Sequence, residues 1–548
     1  MFVNFRMSHH LSDGGPASSD RHCIGKTGKT GQFARNRRGK SEQFARTSRA
    51  LLWRALPIAL ALITAGVPSL PAGAETLPPN FEEQIVFSGL TNPTAVRFAS
   101  DGRVFVAEKS GLIKVFDDLS DATATVVADL RTQVHNFWDR GLLGLAVDPG
   151  FPARPYLYAL YAHDAEIGGG APRWGTLGET DDACPDPSVT GCVVSGRLSR
   201  LQLGADGVMV GSEQVLIEDW CQQFSHSVGD LMFGDDGALY VSAGDGASSA
   251  LLDYGQLGDP PNPCLDPPGG VAEIAPPAAE GGSLRSQDLR TSGDPVNLNG
   301  AVLRLDPRTG AGMPNNPYAD SPDFNARRII AYGLRNPYRM TTRPGTNELW
   351  VTDPGWHDWE EINVVADVAD SVGENFGWPC YEGGQPQASW DAADLAICEN
   401  LYAEPGAVTH PYFAYPSSEK VVPGEGCPTD FTAPSGITFR FYDAGSYPAD
   451  YDGALFFADY SRDCIWVMPK GGDGRPDAKA RRTFVEGAAN PVDLQIGPAG
   501  DVFYVDFDGG TIRRIVYTGR GIEATVGGLR VRLGLDLLPE ASKDRSAD

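Results

Sequence analysis

The chain has 548 residues, with 45 Lys and Arg against 71 Asp and Glu, a formal charge of -26 at neutral pH and a hydrophobic content of 41%. So acidic a surface repels phosphate, which argues against nucleic acid or anionic lipid as a partner and favours divalent cations. The hydrophobic content excludes an acidic disordered chain and is ample for a buried core.

The first 50 residues hold ten basic and three acidic residues, and an apolar run follows at 55–67. That run is too short to span a bilayer, and it leads into Pro71-Ala72-Gly73-Ala74, an A-x-A cleavage pattern. Residues 1–74 therefore read as a signal peptide with an extended leader, a buried N-terminal helix being the alternative. An exported chain starting near Glu75, secreted or periplasmic, is expected, with a formal charge of about -34. Its eight cysteines point to disulfides. Spacing suggests Cys184 with Cys192 and Cys380 with Cys398, leaving Cys221, Cys264, Cys427 and Cys464 to pair among themselves. Zinc has less support, because no C-x-x-C occurs.

Six segments of one design follow: turn residues, alternating apolar and aromatic residues, then Gly or an acid. They are residues 99–108, 148–161, 234–245, 345–353, 452–460 and 497–506. Each reads as a hairpin turn feeding a buried strand. Further strands of the same kind lie at 111–116, 302–305, 464–468 and 511–517. About 70 residues per unit accommodates a four-stranded blade with generous loops, and no linker separates the units as it would separate sandwich domains. The expected fold is all-β, a six-bladed propeller with four-stranded antiparallel blades over residues 75–518. Long loops at 168–191, 251–295 and 385–425 read as functional rims or insertions. Residues 519–548 are charged and weakly patterned, and read as a tail.

Chemistry in such a ring belongs to residues flanking the repeated strands. His226 stands just before one repeat and Asp245 ends it, so the two can lie side by side. A carboxylate on one imidazole nitrogen leaves the other free to accept a proton. A strand-end His bonded to backbone is the alternative. Arg335 and Asn336 interrupt an apolar run just before Pro337, and Arg suits a planar anion; an ordinary salt bridge explains it equally. The stretch 353–363 is dense in oxygen ligands on irregular backbone, which suits calcium better than zinc or copper. No P-loop, G-x-G-x-x-G between strand and helix, H-E-x-x-H or G-x-S-x-G is present.

In this order the segments Leu90-Thr-Asn-Pro-Thr-Ala-Val96, Asp139-Arg-Gly-Leu-Leu-Gly-Leu-Ala146, His226, Gly333-Leu-Arg-Asn-Pro337, Glu361-Ile-Asn363 and Asn375-Phe-Gly-Trp-Pro379 resemble the soluble pyrroloquinoline quinone (PQQ)-dependent glucose dehydrogenases, also called glucose/sorbosone dehydrogenases. The resemblance implies a quinone over the propeller channel and a calcium ion held by two backbone carbonyls, here Gly355 and Trp356. It implies His226 as the base that takes a sugar hydroxyl proton, Asp245 orienting it, and Arg335 and Asn336 on the quinone oxygens. Glu360 and Glu361 fall beside the metal, and Asp139 stands where the glucose enzymes carry Gln. Of the family's late basic residues that hold the quinone carboxylates, only Arg462 stands as a substitute, which predicts weak quinone affinity.

The expected activity is a secreted, calcium- and PQQ-dependent aldose dehydrogenase with a sugar substrate and an external electron acceptor. Two other readings stand beside it. One is a non-catalytic propeller binding glycans or proteins through its acidic rim loops. The other is a calcium-dependent lactonase using Asp139 and Asp245.

Overall fold

The computed structural model describes residues 76–533, except for 177–181, 185–191, 223–224, 259–261, 263, 265–274, 293–294, 430–433, 440–446, 520–521 and 527–528. The expected leader lies outside the described residues. Among them, no helix is long and apolar enough to cross a membrane.

Six antiparallel sheets form the blades of a propeller. The first contains Pro93–Phe98, Val104–Glu108, Leu112–Phe116 and Thr125–Asp129. The second contains Leu142–Val147, Tyr156–His163, Val194–Gln202 and Gln214–Gln222. The third contains Val228–Phe233, Leu239–Ala243, Ala301–Leu305 and Ile329–Tyr332, with the two residues Glu374–Asn375 added in parallel. Arg339–Thr342, Leu349–Asp353, Trp359–Val365 and Phe413–Pro416 make the fourth. Pro434–Phe439, Leu455–Asp459, Cys464–Met468 and Arg482–Glu486 make the fifth.

The sixth blade takes Pro491–Ile496, Val502–Asp506 and Thr511–Tyr517 from the end of the chain and Phe81–Phe87 from its start. This strand exchange joins the two ends of the ring. The six repeats seen in the sequence are the second strands of the six blades, and the four further strands are third strands.

First strands contact one another in cyclic order, from the first blade round to the sixth and back to the first. Between each adjacent pair of blades lies one hydrophobic cluster, six around the ring. A fully buried Leu or Phe in such a layer contributes about 1.5–3 kcal/mol. Four first-strand side chains from different blades are linked by charge: Arg97 reaches Asp493 at 2.6 Å and Asp230 at 2.8 Å, and Arg339 lies 3.8 Å from Asp493. All four are largely buried, and Asp493 and Asp230 also accept the Val96 and Met340 amides, as a buried ion cluster requires.

Cys184 pairs with Cys192 and Cys380 with Cys398; the remaining four join as Cys221–Cys264 and Cys427–Cys464. Two features depart from the expected outline. The 385–425 loop carries two short helices, Ala388–Asp391 and Ala396–Tyr402. The segment read as a weakly patterned tail contains an antiparallel hairpin, Ile522–Val526 with Leu529–Leu533.

Candidate active site

In every blade the chain enters the first strand and leaves the second at the same end. That topology gathers Asp139, His226, Asp245, Arg335, Asn336, Gly355, Trp356 and Arg462 at one end of the propeller, although they span more than 300 residues of sequence.

His226 is buried, with its Nδ1 2.7 Å from Asp245 Oδ1. Burial works to raise the Asp245 pKa, but the adjacent His226 and Arg335 outweigh it and hold the carboxyl below its ordinary value. An ionised carboxylate only accepts, so His226 Nδ1 is the donor, and in the neutral imidazole Nε2 then presents a lone pair. Nε2 has no partner among the described residues. The second Asp245 oxygen accepts the Trp378 indole N–H at 2.8 Å, and Arg285 donates to the Asp245 and Gly246 carbonyls at 3.1 Å. Gln287 in turn holds the Trp378 carbonyl at 2.8 Å. Arg285 and Gln287 belong to the buried 3-10 segment Gly282–Arg290, inside the long loop between the second and third strands of the third blade.

His226 has φ +51°, in the left-handed region, and its amide donates to Asp139 Oδ2 at 2.9 Å. Asp139 thus holds the backbone of His226. A side chain on Gly244 would meet the His226 carbonyl at 2.5 Å and the Asn336 amide oxygen at 2.9 Å, so glycine is required for this close packing. The Arg335 and Asn336 amides both donate to Asp353, at 2.9 and 2.6 Å. Burial pushes the Asp353 carboxyl up to about 7. The Arg335 guanidinium donates to Pro354 O and Ser249 O and lies over Trp378, while its buried Nε has no partner.

The calcium-like loop is organised by carboxylates. Glu360 accepts the Gly355 amide at 3.0 Å. Glu361 accepts the Gly383 amide at 2.7 Å and the Asn363 amide group at 3.0 Å. Burial, then Asp353, pushes Glu361 up to about 8. Glu382 accepts four successive amides, from Trp356 to Trp359. A Cβ on Gly355 would overlap the Trp359 carbonyl at 1.6 Å. Glu360 and Glu361 are thereby engaged with protein, and among the described residues no group of three or more His, Cys, Asp or Glu is arranged to hold a metal. The Gly355 and Trp356 carbonyls have no partner among the described residues, which fits a hard cation bound through backbone oxygens.

Arg462 lies at the same end but turns its guanidinium into the protein. It is fully buried, its guanidinium donates to the carbonyls of Glu419, Pro416 and Ser417, and Asp459 lies 3.6 Å from its Nε. It holds the 416–419 turn. Among the described residues at this end, Arg140 Nε, Arg285 Nη1 and Arg335 Nε are buried guanidinium nitrogens without a hydrogen-bond partner. Sequence reasoning missed Arg285, Trp378 and Glu382, whose roles rest on contacts far along the chain; the Gly-Trp-Pro motif was the one signal for Trp378. It also missed Trp138, which is 60% exposed at the same rim, directly before Asp139.

Fold and site together define a six-bladed propeller that buries a histidine–aspartate pair among its rim loops, beside a loop whose Gly355 and Trp356 carbonyls have no partner among the described residues. The chain belongs to the glucose/sorbosone dehydrogenase family, whose model matches residues 90–256 and 282–513. Among curated proteins it is 25% identical to quinoprotein glucose dehydrogenase B of Acinetobacter calcoaceticus, over 63% of this chain and 63% of that protein. It is 26% identical to the mouse Hedgehog-interacting protein, over 53% of this chain and 34% of that protein. The chain thus spans less than two thirds of either relative. The PQQ-bound aldose sugar dehydrogenase of Streptomyces coelicolor has the same fold, with a TM-score of 0.51 and 18% identity over 80% of this chain and 99% of that one.

Proposed function

We propose that this protein is an exported sugar dehydrogenase that removes a hydroxyl proton and a hydride from an aldose, with calcium and a quinone as cofactors. The observation that carries this reading is the His226–Asp245 pair, whose geometry leaves one imidazole nitrogen free to act as base. When bound, the quinone supplies the two-electron acceptor for the hydride, and calcium polarises it. The chain's own part is then defined. His226 Nε2 takes the hydroxyl proton, Asp245 stabilises the imidazolium that results, and Trp378 fixes Asp245. Gly355 and Trp356 would hold the calcium through their carbonyls, and Arg335 Nε would meet an anionic edge of the quinone. Trp138 offers an apolar face to a sugar at the rim. Four disulfides support export.

Reconstitution with calcium and PQQ, followed by assay of an aldose panel with an artificial electron acceptor, tests the reading. Reduction of the acceptor with at least one aldose is expected. Absence of turnover with every aldose, together with no spectrum of bound quinone, would overturn it.

A second reading draws on one observation, that Arg462 is spent on the 416–419 turn and leaves the quinone thinly held. In that reading the rim binds a protein or a glycan, as the name of the Hedgehog-interacting relative illustrates for a protein partner. His226→Asn would then leave binding unchanged.

A further inference from the structure

We infer that Glu382 is the positioning residue that turns the Gly355 and Trp356 carbonyls outward as a preformed cation seat. Its Oε1 accepts from the backbone N–H groups of Trp356 at 2.8 Å, His357 and Asp358 at 3.0 Å and Trp359 at 3.2 Å. Four successive amides converging on one carboxylate oxygen form a nest for negative charge.

The consequence for the carbonyls follows from the peptide bond. In a planar trans peptide the C=O of one residue points opposite to the N–H of the next. Because the Trp356 N–H points at Glu382, the Gly355 C=O points away from it. The His357 N–H does the same for the Trp356 C=O. Neither of these carbonyls has a partner among the described residues, and both are turned away from Glu382.

Glu382 is itself firmly placed. It is buried, sits in the hairpin Tyr381–Glu382 with Gln385–Pro386, and follows Cys380, which is bonded to Cys398. The next residue, Gly383, donates its amide to Glu361 on the fourth blade. The loop is therefore shaped by protein before any ion arrives, and a bound cation gains from carbonyls that need not reorganise. Outer groups that orient metal ligands commonly contribute 10- to 100-fold to affinity.

The inference rests on the calcium reading above, and the experiment separates the two. Calorimetric titration of calcium into the purified full chain, without quinone or sugar, is compared between wild type and Glu382→Gln, which keeps the shape and removes the charge. We expect wild type to bind calcium and Glu382→Gln to bind it about 10- to 100-fold more weakly. Equal affinity in a folded variant overturns the role of Glu382 and leaves the calcium reading standing. No binding by wild type overturns both. Hydrogen exchange of the wild-type Trp356–Trp359 amides provides a measurement that needs no variant. Slow exchange both with calcium and after chelation is expected, and free exchange after chelation would overturn the inference, because the ion would then be shaping the loop.

Discussion

His226 is held in a conformation that few residues other than glycine and asparagine adopt readily, and the contacts that hold it come from Asp139, Asp245 and the packing of Gly244. His226→Asn suits the left-handed backbone and keeps a donor for Asp245, yet it lacks a basic nitrogen. A fall in kcat of about 10²- to 10⁴-fold with an unchanged circular dichroism spectrum is expected. Trp378→Phe removes the N–H from the second Asp245 oxygen, so that more negative charge remains to stabilise the imidazolium. The acid limb of the kcat/KM profile should move up by roughly half a unit to one unit; a merely structural role would lower the active fraction without moving that limb. Trp138→Ala should raise KM for aldoses about tenfold at nearly constant kcat, the pattern of lost uniform binding. Steady-state kinetics across the aldose panel checks it. The contact between His226 and Asp245 was legible because the two flank one strand pair in sequence. Trp378 was not, since 133 residues separate it from Asp245.

Among the elements, second strands announce themselves, because each is an apolar and aromatic run that follows a tight turn and in most blades closes on an acid. First strands are harder to read: those of the first, second, third, fifth and sixth blades contain a register shift near the rim end, which breaks the alternation that marks a strand. The long loop after the third blade's second strand was legible as a rim excursion, but its internal order was not. That order centres on Asp253, which accepts from Ser248 N, Gly255 N and the Asn262 side chain. Burial pushes its carboxyl from an ordinary 3.8 up to about 6, against the pull of Arg285. A carboxyl raised on folding binds more protons in the folded state, so its contribution to stability is complete below about pH 4 and falls as pH rises through about 6. Asp253→Asn does not titrate. Its stability relative to wild type should therefore improve between pH 4 and pH 7, by up to about 3 kcal/mol. Paired urea denaturations at the two pH values measure this, and a difference independent of pH would contradict it.

For the whole molecule, closure of the ring is the decisive fact. Phe81 comes from the start of the described chain and packs edge-on against Tyr447, Tyr451 and Phe484 of the fifth blade's surroundings. Phe81→Ala leaves a cavity at the junction of the last two blades and is expected to cost about 3–5 kcal/mol, read as a lower urea midpoint. If the midpoint is unchanged, the N-terminal strand does not secure the ring.

By itself the sequence determined the number of blades, the export-type cysteine content and the histidine–aspartate pair. Each of these is written in local pattern, a turn followed by a buried strand, or in spacing within one strand pair. The tertiary structure alone decided that the first strand completes the last blade, that the Arg462 guanidinium meets the carbonyls of the 416–419 turn, and that Trp378, Arg285 and Glu382 pack around the histidine–aspartate pair and the 355–359 loop. Those outcomes depend on hydrogen bonds between groups tens to hundreds of residues apart, and a polar side chain's partner is settled by which loops the closed ring brings to the same rim.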